Sequence, residues 1–329
     1  MSDAPVVNDA PLVLAVPSKG RLQENATAFF GRAGLKFVKS RGERDYRGTI
    51  AGVEGAEVAF LSASEIVSQL ASGAAHLGIT GEDLVREQVA DSNAAVEMLT
   101  PLGFGHANVV VAVPQAWIDV RTMADLDDVA STMRSRHGRK LRVATKYVNL
   151  TRRYFASHGL ADYRIVESLG ATEGAPAAGT AEIVVDITTT GATLSANALK
   201  ILDDGVMLAS EANLVASVRA PWGERAKAAA RAILSRIAAE EEARSVREIR
   251  ARLDAGSDTL GDLAALFGAR LPLGASAAGG VVTIHCPEKA VFALVDHLAK
   301  AGADDITVSA PAYVFRKANP LIERLQARI

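Results

Sequence analysis

One stretch organises this chain: residues 171–194 read ATEGAPAAGTAEIVVDITTTGATL. Its apolar, β-branched centre, Ile183-Val184-Val185, is typical of a buried strand. The run ends at Asp186 and continues through Thr188-Thr189-Thr190-Gly191. Small residues let a backbone come close to a ligand, and the N–H groups of such a turn suit an anion. The stretch therefore predicts a strand followed by a phosphate-binding loop, with Asp186 placed to accept hydrogen bonds from sugar hydroxyls.

A turn of this kind also occurs without a ligand. Strands that end in an acid and turn through Thr and Gly are found in many α/β proteins, so the loop alone leaves both interpretations open. The stretch lacks the lysine of a P-loop and the spacing of G-x-G-x-x-G, so it is neither of those nucleotide motifs.

Length, charge and cysteine content narrow the class of protein. The 329 residues are enough for two or three domains. No apolar run approaches the roughly 20 residues of a membrane span, and residues 1–11 lack the pattern of a signal peptide. The single cysteine, Cys286, excludes an intrachain disulfide. From these features we expect a cytoplasmic protein with no membrane partner. Because 36 basic residues stand against 38 acidic ones, we also expect no nucleic-acid partner.

Alternating apolar and amphipathic segments predict an α/β fold. The predicted strands are 12–17, 35–39, 56–61, 107–113, 141–145, 163–166 and 205–218. The predicted helices are 22–33, 63–72, 114–140, 149–158 and 222–243. Segment 244–270 has a helical and charged pattern, and residues 281–310 form a β-α-β unit that resembles half of a ferredoxin-like module.

Basic residues and glycines follow several of these strands. Ligands bind at the carboxyl ends of strands in such folds, so Lys19 and Arg21 are candidates for contact with a pyrophosphate, with Gly20 allowing close approach. The spacing alone slightly favours two solvated charges. Arg44 is a weaker candidate for a triphosphate, in an arginine-rich segment. Further candidates are the crossover glycines and the lysine after strand 141–145: Gly103, Gly105 and Lys146.

Two other polar positions receive a structural interpretation only. Glu82 and Asp83 are acids in a first helical turn, where they suit the helix dipole. His76 is assigned no role.

Four stretches, in order, resemble the ATP phosphoribosyltransferase family, which catalyses the first step of histidine biosynthesis. They are PSKGRL (17–22), LGITGEDLV (77–85), ATKYVNLTRRYF (144–155) and the 171–194 loop. The resemblance runs over about residues 12–220. Relatives often carry an arginine near Ser62–Glu65, which this chain lacks, and an aspartate where His76 stands.

The resemblance implies an α/β catalytic part with two lobes around a cleft, as in periplasmic binding proteins, followed by a small ferredoxin-like (ACT-like) α+β domain. The implied divisions are lobe I (12–106 and 195–222), lobe II (107–194), a linker helix (223–243) and a C-terminal regulatory or assembly domain (244–329). The tail departs from the long form of the family. A strand is expected near 245–255 and a Pro-Thr segment near 270–276, where this chain has SVREIRARLDAG and ARLPLGAS.

The implied reaction joins N1 of ATP to C1 of phosphoribosyl diphosphate (PRPP) and releases pyrophosphate. The adenine nitrogen already has a lone pair, so no strong base is needed. The leaving diphosphate must be neutralised by Mg²⁺ and basic side chains while the reactants are held in line. We expect Mg²⁺ mainly on substrate phosphates, and therefore no metal-ligating residue of the protein.

The resemblance also implies roles for the candidate residues. The catalytic set is Lys19, Arg21 and Asp186. The PRPP site is Glu173, Asp186, Thr188, Thr189, Thr190, Gly191, Ala192 and Thr193, with the two acids on the ribose hydroxyls. The site for ATP and pyrophosphate is Lys19, Gly20, Arg21, Arg44, Gly103, Gly105 and Lys146.

The implied partners are the substrates ATP and PRPP, L-histidine as an inhibitor, and further copies of the chain in a dimer or hexamer. The short form of the family works with a synthetase-like regulatory subunit, so such a partner also stays open. Two other classes remain: a two-lobed sensor that binds without reacting, and a regulatory paralogue without turnover. The intact 186–194 loop and Lys19-Gly20-Arg21 favour the enzyme over both.

Overall fold

Alternating strands and helices run through the whole structure, which is a computed structural model. It describes residues 10–39, 46–168, 170–253, 260–274 and 280–329. The chain divides into two units. The first comprises Met1–Phe29, Phe37–Lys227 and Ala327–Ile329, and the second comprises Phe30–Lys36 and Ala228–Gln326.

The first unit contains two sheets. The strands of the first sheet are β1 (Leu12–Pro17), β2 (Phe37–Lys39), β3 (Arg47–Ile50), β4 (Ala56–Leu61), β5 (Leu77–Gly81), β6 (Val96–Pro101) and β12 (Ala212–Ser217). Their order is β2-β3-β4-β1-β5-β12-β6. The central strands β4, β1 and β5 are parallel, so their carboxyl ends share one edge.

The second sheet has five strands, in the order β11-β7-β10-β8-β9. They are β7 (Ala107–Pro114), β8 (Leu141–Thr145), β9 (Tyr163–Glu167), β10 (Ile183–Thr188) and β11 (Leu199–Ser210). Strand β10 lies between antiparallel β7 and parallel β8. Its residues Ile183, Val184 and Val185 are fully buried, as their apolar run predicts.

Helices connect many of the strands in both sheets. In the first unit the described helices are α2 (Ala63–Ser72), α3 (Glu82–Gln88), α4 (Ser92–Ala95), α5 (Met123–His137), α6 (Val148–Ser157) and α7 (Ala192–Ala196). Two longer helices, α1 (Gly20–Arg32) and α8 (Glu224–Ser245), belong partly to each unit. The second unit adds α9 (Leu263–Phe267), α10 (Val291–Lys300) and α11 (Pro320–Gln326).

The second unit contains a three-stranded antiparallel sheet. Its strands are β13 (Val246–Arg252), β14 (Val281–Pro287) and β15 (Asp304–Ser309), in the order β14-β13-β15. Because β14 and β15 both pair with β13, they run parallel to each other with α10 between them in the chain. Ile249 and Ile284 on one face join a buried cluster with Leu294 of α10. This split β-α-β arrangement agrees with the predicted ferredoxin-like half-module.

Two predicted elements differ from the structure in their bounds. Helix α5 begins only at Met123, because Thr122 accepts a hydrogen bond from the Asp125 N–H and caps it there. The predicted single strand 205–218 is two strands, since β11 pairs with β7 and β12 pairs with β5. Strand β11 thus lies in the second sheet, although the predicted lobe II ends at residue 194.

The prediction that 244–270 is helical was also wrong for its first part. Residues 246–252 form β13, which pairs along both edges, with Ile249 opposite Ile284 and Val308. Pairing on both sides outweighs the helix propensity of the Arg and Glu residues. A strand near 245–255, which the family resemblance implied and the local sequence did not suggest, is therefore present. No helix in the described ranges is long and apolar enough to cross a membrane.

His76 joins β1 to the chain that follows β12. Its side chain is 3% exposed. Nδ1 accepts from the Val13 N–H at 3.1 Å, so Nε2, 3.3 Å from the Pro221 oxygen, carries the proton and donates to it. The Trp222 ring packs edge-on at 5.0 Å. Burial lowers the pKa of His76, opposed by the hydrogen bond to Pro221. The neutral imidazole is therefore part of the packing of the first sheet.

We expect His76 to make stability depend on pH. In the unfolded chain the His76 imidazole takes up a proton below about pH 6.5, whereas the folded protein resists this protonation. The contribution of His76 to the free energy of unfolding is therefore complete above that pH and declines below it. The slope has a limit of about 1.4 kcal/mol per pH unit. Thermal unfolding of wild type and His76→Gln should differ most at pH 7.5 and less at pH 5.5. A difference that stays constant over this range would contradict the assignment.

Candidate active site

A cavity of about 310 Å³ lies beside the carboxyl ends of β8 and β10. These strands are parallel neighbours, with Val185 opposite Thr145, so the residues after them meet at one edge of the sheet. Its lining includes five of the predicted site residues: Lys146, Glu173, Asp186, Thr188 and Thr193. The structure thus places one cation, two acids and two hydroxyls around a single space.

Asp186 is the most constrained of these side chains. Its Oδ1 accepts a hydrogen bond from the Ile187 N–H at 2.8 Å. Burial raises the pKa of this carboxyl, and the nearby Glu173 adds to the rise, while the Ile187 hydrogen bond and the charge of Lys146 oppose it. A half-buried carboxylate of this kind is a strong acceptor for ligand hydroxyls, because little water competes for it.

The loop after Asp186 is held together by its own hydroxyls. Thr188 Oγ1 accepts from the Gly191 N–H at 2.8 Å, and Thr190 Oγ1 accepts from the Ala192 N–H at 3.4 Å. Each of these two N–H groups thus donates within the loop in this structure, and their role toward an anion stays a prediction. Thr189 points elsewhere and donates to the His106 oxygen at 3.3 Å.

Only the two ends of the predicted phosphate loop contribute to the cavity lining. Thr188 and Thr193 belong to it, whereas the lining does not include Thr189, Thr190, Gly191 or Ala192. Gly191 has a left-handed backbone with φ 75°. An added β-carbon there would lie 3.7 Å from Ile201 Cδ1, an ordinary contact. The glycine is thus needed for its backbone angle, which brings Thr193 back to the cavity.

Residues 170–173 form a further part of the cavity lining. Ala171 has φ 49°, a left-handed angle that is rare for a residue with a side chain. It precedes the short 3₁₀ turn Thr172–Gly174, which carries Glu173. Thr172 is buried and donates to Ser168 Oγ at 3.2 Å. Strained backbone of this kind clusters at ligand sites, and nothing in the sequence pattern points to it.

The first-lobe candidates lie outside this cavity. Lys19 is exposed just after β1, and Gly20 and Arg21 are exposed in the first turn of α1. The Gly103 N–H donates to Glu211 Oε2 at 3.2 Å. An added β-carbon at Gly105 would lie 3.6 Å from Leu22 Cδ1, one residue past Arg21. Arg44 lies outside the described residues.

Gly103 and Gly105 stand in one of two crossings between the sheets, as predicted. Residues 102–106 connect β6 to β7, and Glu211 connects β11 to β12. The first crossing hydrogen-bonds to Ala212, the first residue of β12 after the second crossing: Leu102 N–H donates to the Ala212 oxygen at 2.9 Å, and Ala212 N–H donates to the Phe104 oxygen at 3.0 Å.

The position where relatives carry an arginine has a local structural role here. Ser62 caps α2 by accepting from the Glu65 N–H at 3.3 Å, and Glu65 accepts in return from the Ser62 N–H at 2.8 Å. This reciprocal pair satisfies two otherwise free N–H groups at the helix start.

Sequence reasoning missed the partners of Asp83. The acid does stand in the first turn of α3, but it is 7% exposed. Its Oδ2 accepts from the Tyr147 hydroxyl at 2.8 Å, and its Oδ1 accepts from the Ser210 hydroxyl at 2.9 Å. Because these partners are 64 and 127 residues away in the chain, no local pattern could reveal them.

Known proteins with similar sequences show the family of this chain. The family described as ATP phosphoribosyltransferase matches residues 62–239. The ATP phosphoribosyltransferase of Nitrobacter winogradskyi is 60% identical over 317 residues, which are 96% of this chain and 97% of that protein. This chain belongs to the ATP phosphoribosyltransferase family. The Afipia carboxidovorans relative of the same name is 60% identical over 319 residues, covering 96% and 98% of the two chains.

A solved member of the ATP phosphoribosyltransferase family has the same core. The ATP phosphoribosyl transferase (HisG:HisZ) complex from Thermotoga maritima is 25% identical, with a TM-score of 0.52. The match covers 69% of this chain and 95% of that chain. The predicted family, the transferase class and the two-lobed α/β fold are therefore confirmed.

We expect the ionised Asp186 side chain to destabilise the folded protein. Asp186→Asn keeps an oxygen for the Ile187 N–H and removes the charge. Because the folded carboxyl has a raised pKa, the acid stabilises the fold only when protonated, and that contribution is lost as pH rises through the folded pKa. The variant should melt at a higher temperature than wild type at pH 7.5, and the gain should shrink toward pH 5.

Asp203→Asn is the matched control, because the Asp203 side chain is 59% exposed and pairs with Arg121. Its melting temperature should stay close to that of wild type at both pH values. Equal or lower stability of Asp186→Asn at pH 7.5 would contradict the assignment.

Proposed function

We propose that this chain transfers the phosphoribosyl group of PRPP to N1 of ATP at the cavity beside β8 and β10, as the first step of L-histidine biosynthesis. The observation that most supports this site is the grouping of Lys146, Glu173, Asp186, Thr188 and Thr193 around one space of about 310 Å³. A sugar phosphate needs donors for its phosphate and acceptors for its hydroxyls. This lining offers both.

Asp186 and Glu173 are proposed to accept hydrogen bonds from the ribose hydroxyls, with Asp186 as the principal acceptor. The hydroxyls of Thr188 and Thr193 donate to the 5′-phosphate. Thr189, Thr190, Gly191 and Ala192 complete the proposed loop around that phosphate. Lys146 supplies positive charge beside the sugar, where it can offset the negative charge that accumulates on the departing diphosphate.

The transfer step forms one bond and breaks another. The lone pair of adenine N1 forms the bond to C1 of the ribose, while the bond between C1 and the diphosphate oxygen breaks and its electron pair leaves with pyrophosphate. Positive charge develops on the sugar and negative charge on the leaving group. Lys19, just after β1, and Arg21, in the first turn of α1, are proposed to neutralise the diphosphate, with Gly20, Gly103 and Gly105 as backbone contacts. Arg44 stays a candidate for the ATP phosphates.

The acids of the cavity fit a magnesium ion that the substrates hold. The described residues contain no group of three or more His, Cys, Asp or Glu side chains that could hold a metal. Glu173 and Asp186 together offer two carboxylates. Mg²⁺ usually takes one or two carboxylates and fills its other positions with phosphate oxygens and water. When bound, the ion would supply charge neutralisation for the leaving diphosphate.

The second unit offers a place for an effector. A cavity of about 470 Å³ lies on the polar face of its sheet, lined by Glu248, Arg250, Thr283 and His285 among others. His285 Nδ1 is buried and, within the described residues, makes no hydrogen bond. We propose that L-histidine binds here, with its carboxylate paired with Arg250 and its amino group paired with Glu248. The proposed C-terminal regulatory domain thus covers 244–329, after the linker helix.

The chain is proposed to work in the cytoplasm as a homo-oligomer, a dimer or hexamer. The Thermotoga structure is that of a HisG:HisZ complex, so a separate regulatory subunit is a second arrangement. Light scattering of the purified chain at assay concentration would separate the two arrangements. An assembly active without added subunits supports the first, and activity that appears only with a second protein supports the other.

The transferase activity is tested by pyrophosphate release from the purified protein with ATP, PRPP and Mg²⁺. Release should require all three. Asp186→Asn should lower kcat/KM for PRPP about 100-fold or more, because a preorganised acceptor is lost at the site of charge development. Lys19→Ala should lower it about tenfold or more.

Lys200→Ala is a matched control, because Lys200 donates to the Ile118 oxygen on an exposed part of the second sheet. It should retain wild-type activity. Binding of PRPP without any release would favour the two-lobed sensor or the regulatory paralogue instead.

Regulation is tested by adding millimolar L-histidine to the same assay. Wild type should lose most of its activity, while Glu248→Gln should need at least tenfold more histidine for half-inhibition and keep its kcat. Equal sensitivity of both proteins would exclude this cavity as the histidine site.

A further inference from the structure

Asp83 is tied to the second sheet through both of its oxygens. Besides the hydrogen bonds from Tyr147 and Ser210, the Asp83 N–H donates back to Ser210 Oγ at 3.0 Å. Ser210 is the last residue of β11, immediately before the crossing at Glu211. An added β-carbon at Gly81 would lie 2.3 Å from Asp83 Oδ1, so a side chain at position 81 would displace the carboxylate.

Tyr147 links Asp83 to a residue that lines the cavity. Its ring is 1% exposed in the core of the second sheet. The Tyr147 backbone N–H donates to Thr145 Oγ1 at 2.8 Å, and the Tyr147 backbone oxygen accepts from the Thr151 hydroxyl at 2.6 Å. Burial, followed by the charge of Asp83, raises the pKa of the Tyr147 hydroxyl far above its ordinary value, so it remains a donor. Its neighbour Lys146 lines the cavity, with Nζ 5.0 Å from the centre of the Tyr147 ring.

Two further contacts anchor α3 at the same junction. The Glu82 N–H donates to the Glu211 oxygen at 3.1 Å, in the crossing itself. At the other end of α3, the Glu87 carboxylate accepts from the Asn149 and Leu150 N–H groups, each at 2.9 Å, and so caps α6 from the first lobe. One short helix of the first lobe therefore contacts β11 and α6 of the second, and also Tyr147 just before α6.

We propose that Asp83 is a positioning residue for phosphoribosyl transfer: through Tyr147 and Ser210 it sets the orientation of the second-lobe cavity relative to the Lys19 turn. The inference rests on the proposed function. The side chains proposed for ribose 5-phosphate all belong to the second lobe, whereas Lys19 and Arg21 belong to the first. Loosening the junction should therefore spare binding of the sugar phosphate and lower the rate of transfer.

The test compares turnover with binding of ribose 5-phosphate, a probe that has no diphosphate. Tyr147→Phe removes only the hydroxyl from the junction, and Asp83→Asn removes only the charge. Each should lower kcat tenfold or more in the pyrophosphate assay and leave the Kd of ribose 5-phosphate, from calorimetry, within twofold of wild type. The double variant should be no slower than the slower single variant by more than about twofold, because both changes break one contact.

Tyr154→Phe is the matched control. Tyr154 lies on α6, the helix that begins directly after Tyr147, and its hydroxyl donates to the Asp204 backbone oxygen rather than to Asp83. This variant should keep kcat within twofold. Ser210→Ala removes the second hydrogen bond to Asp83 and serves as the test if the other two variants fail to fold.

Two results would overturn the proposal. Unchanged kcat in Tyr147→Phe or Asp83→Asn would show that the junction does not affect transfer. A parallel loss of ribose 5-phosphate affinity and kcat would show that Tyr147 only supports the cavity wall. Failure of the proposed function would look different, because wild type itself would then release no pyrophosphate.

Discussion

Parallel pairing of β8 with β10 is the constraint on which the site depends. Because the two strands run in the same direction, Lys146 after one and Asp186 at the end of the other meet at one edge of the sheet. Antiparallel β7 closes the other side of β10 and holds its apolar centre in the core. A ligand can therefore meet charges from distant parts of the chain without any long flexible loop bringing them together.

The second lobe alone does not account for transfer, because the exposed cations near β1 belong to the other sheet. The first crossing hydrogen-bonds to Ala212, directly after the second crossing, which limits how far the sheets can turn. The Asp83 junction adds a buried contact beside them. A carboxylate with two buried hydroxyl donors is costly to break, since the charge would be left without partners in a medium of low polarity. The geometry between the lobes is thus set by side chains that never touch the proposed substrate.

Local sequence patterns predicted most strands and the position of the cavity, because apolar runs followed by small or charged residues mark the ends of buried strands. They did not predict that β11 and β12 belong to different sheets, since that depends on where Glu211 meets the other crossing. Strand β13 was missed because its charged residues favour a helix when read locally. The partners of Asp83 and the left-handed Ala171 depend on distant contacts or backbone strain, which a linear sequence does not display.

Glu182 and Asp186 are two acids near β10 with different roles, one structural and one proposed for ligand binding. For Glu182, burial alone would raise the pKa, but hydrogen bonds from Arg142 at 2.7 Å outweigh it and lower the pKa of this carboxyl. Arg139 adds a contact at 3.1 Å. Asp186, four residues further on, has only a backbone N–H and the charge of a neighbouring lysine, and its pKa is raised. An acid whose burial is compensated serves the fold, whereas one left partly uncompensated gains most when a ligand supplies the missing donors.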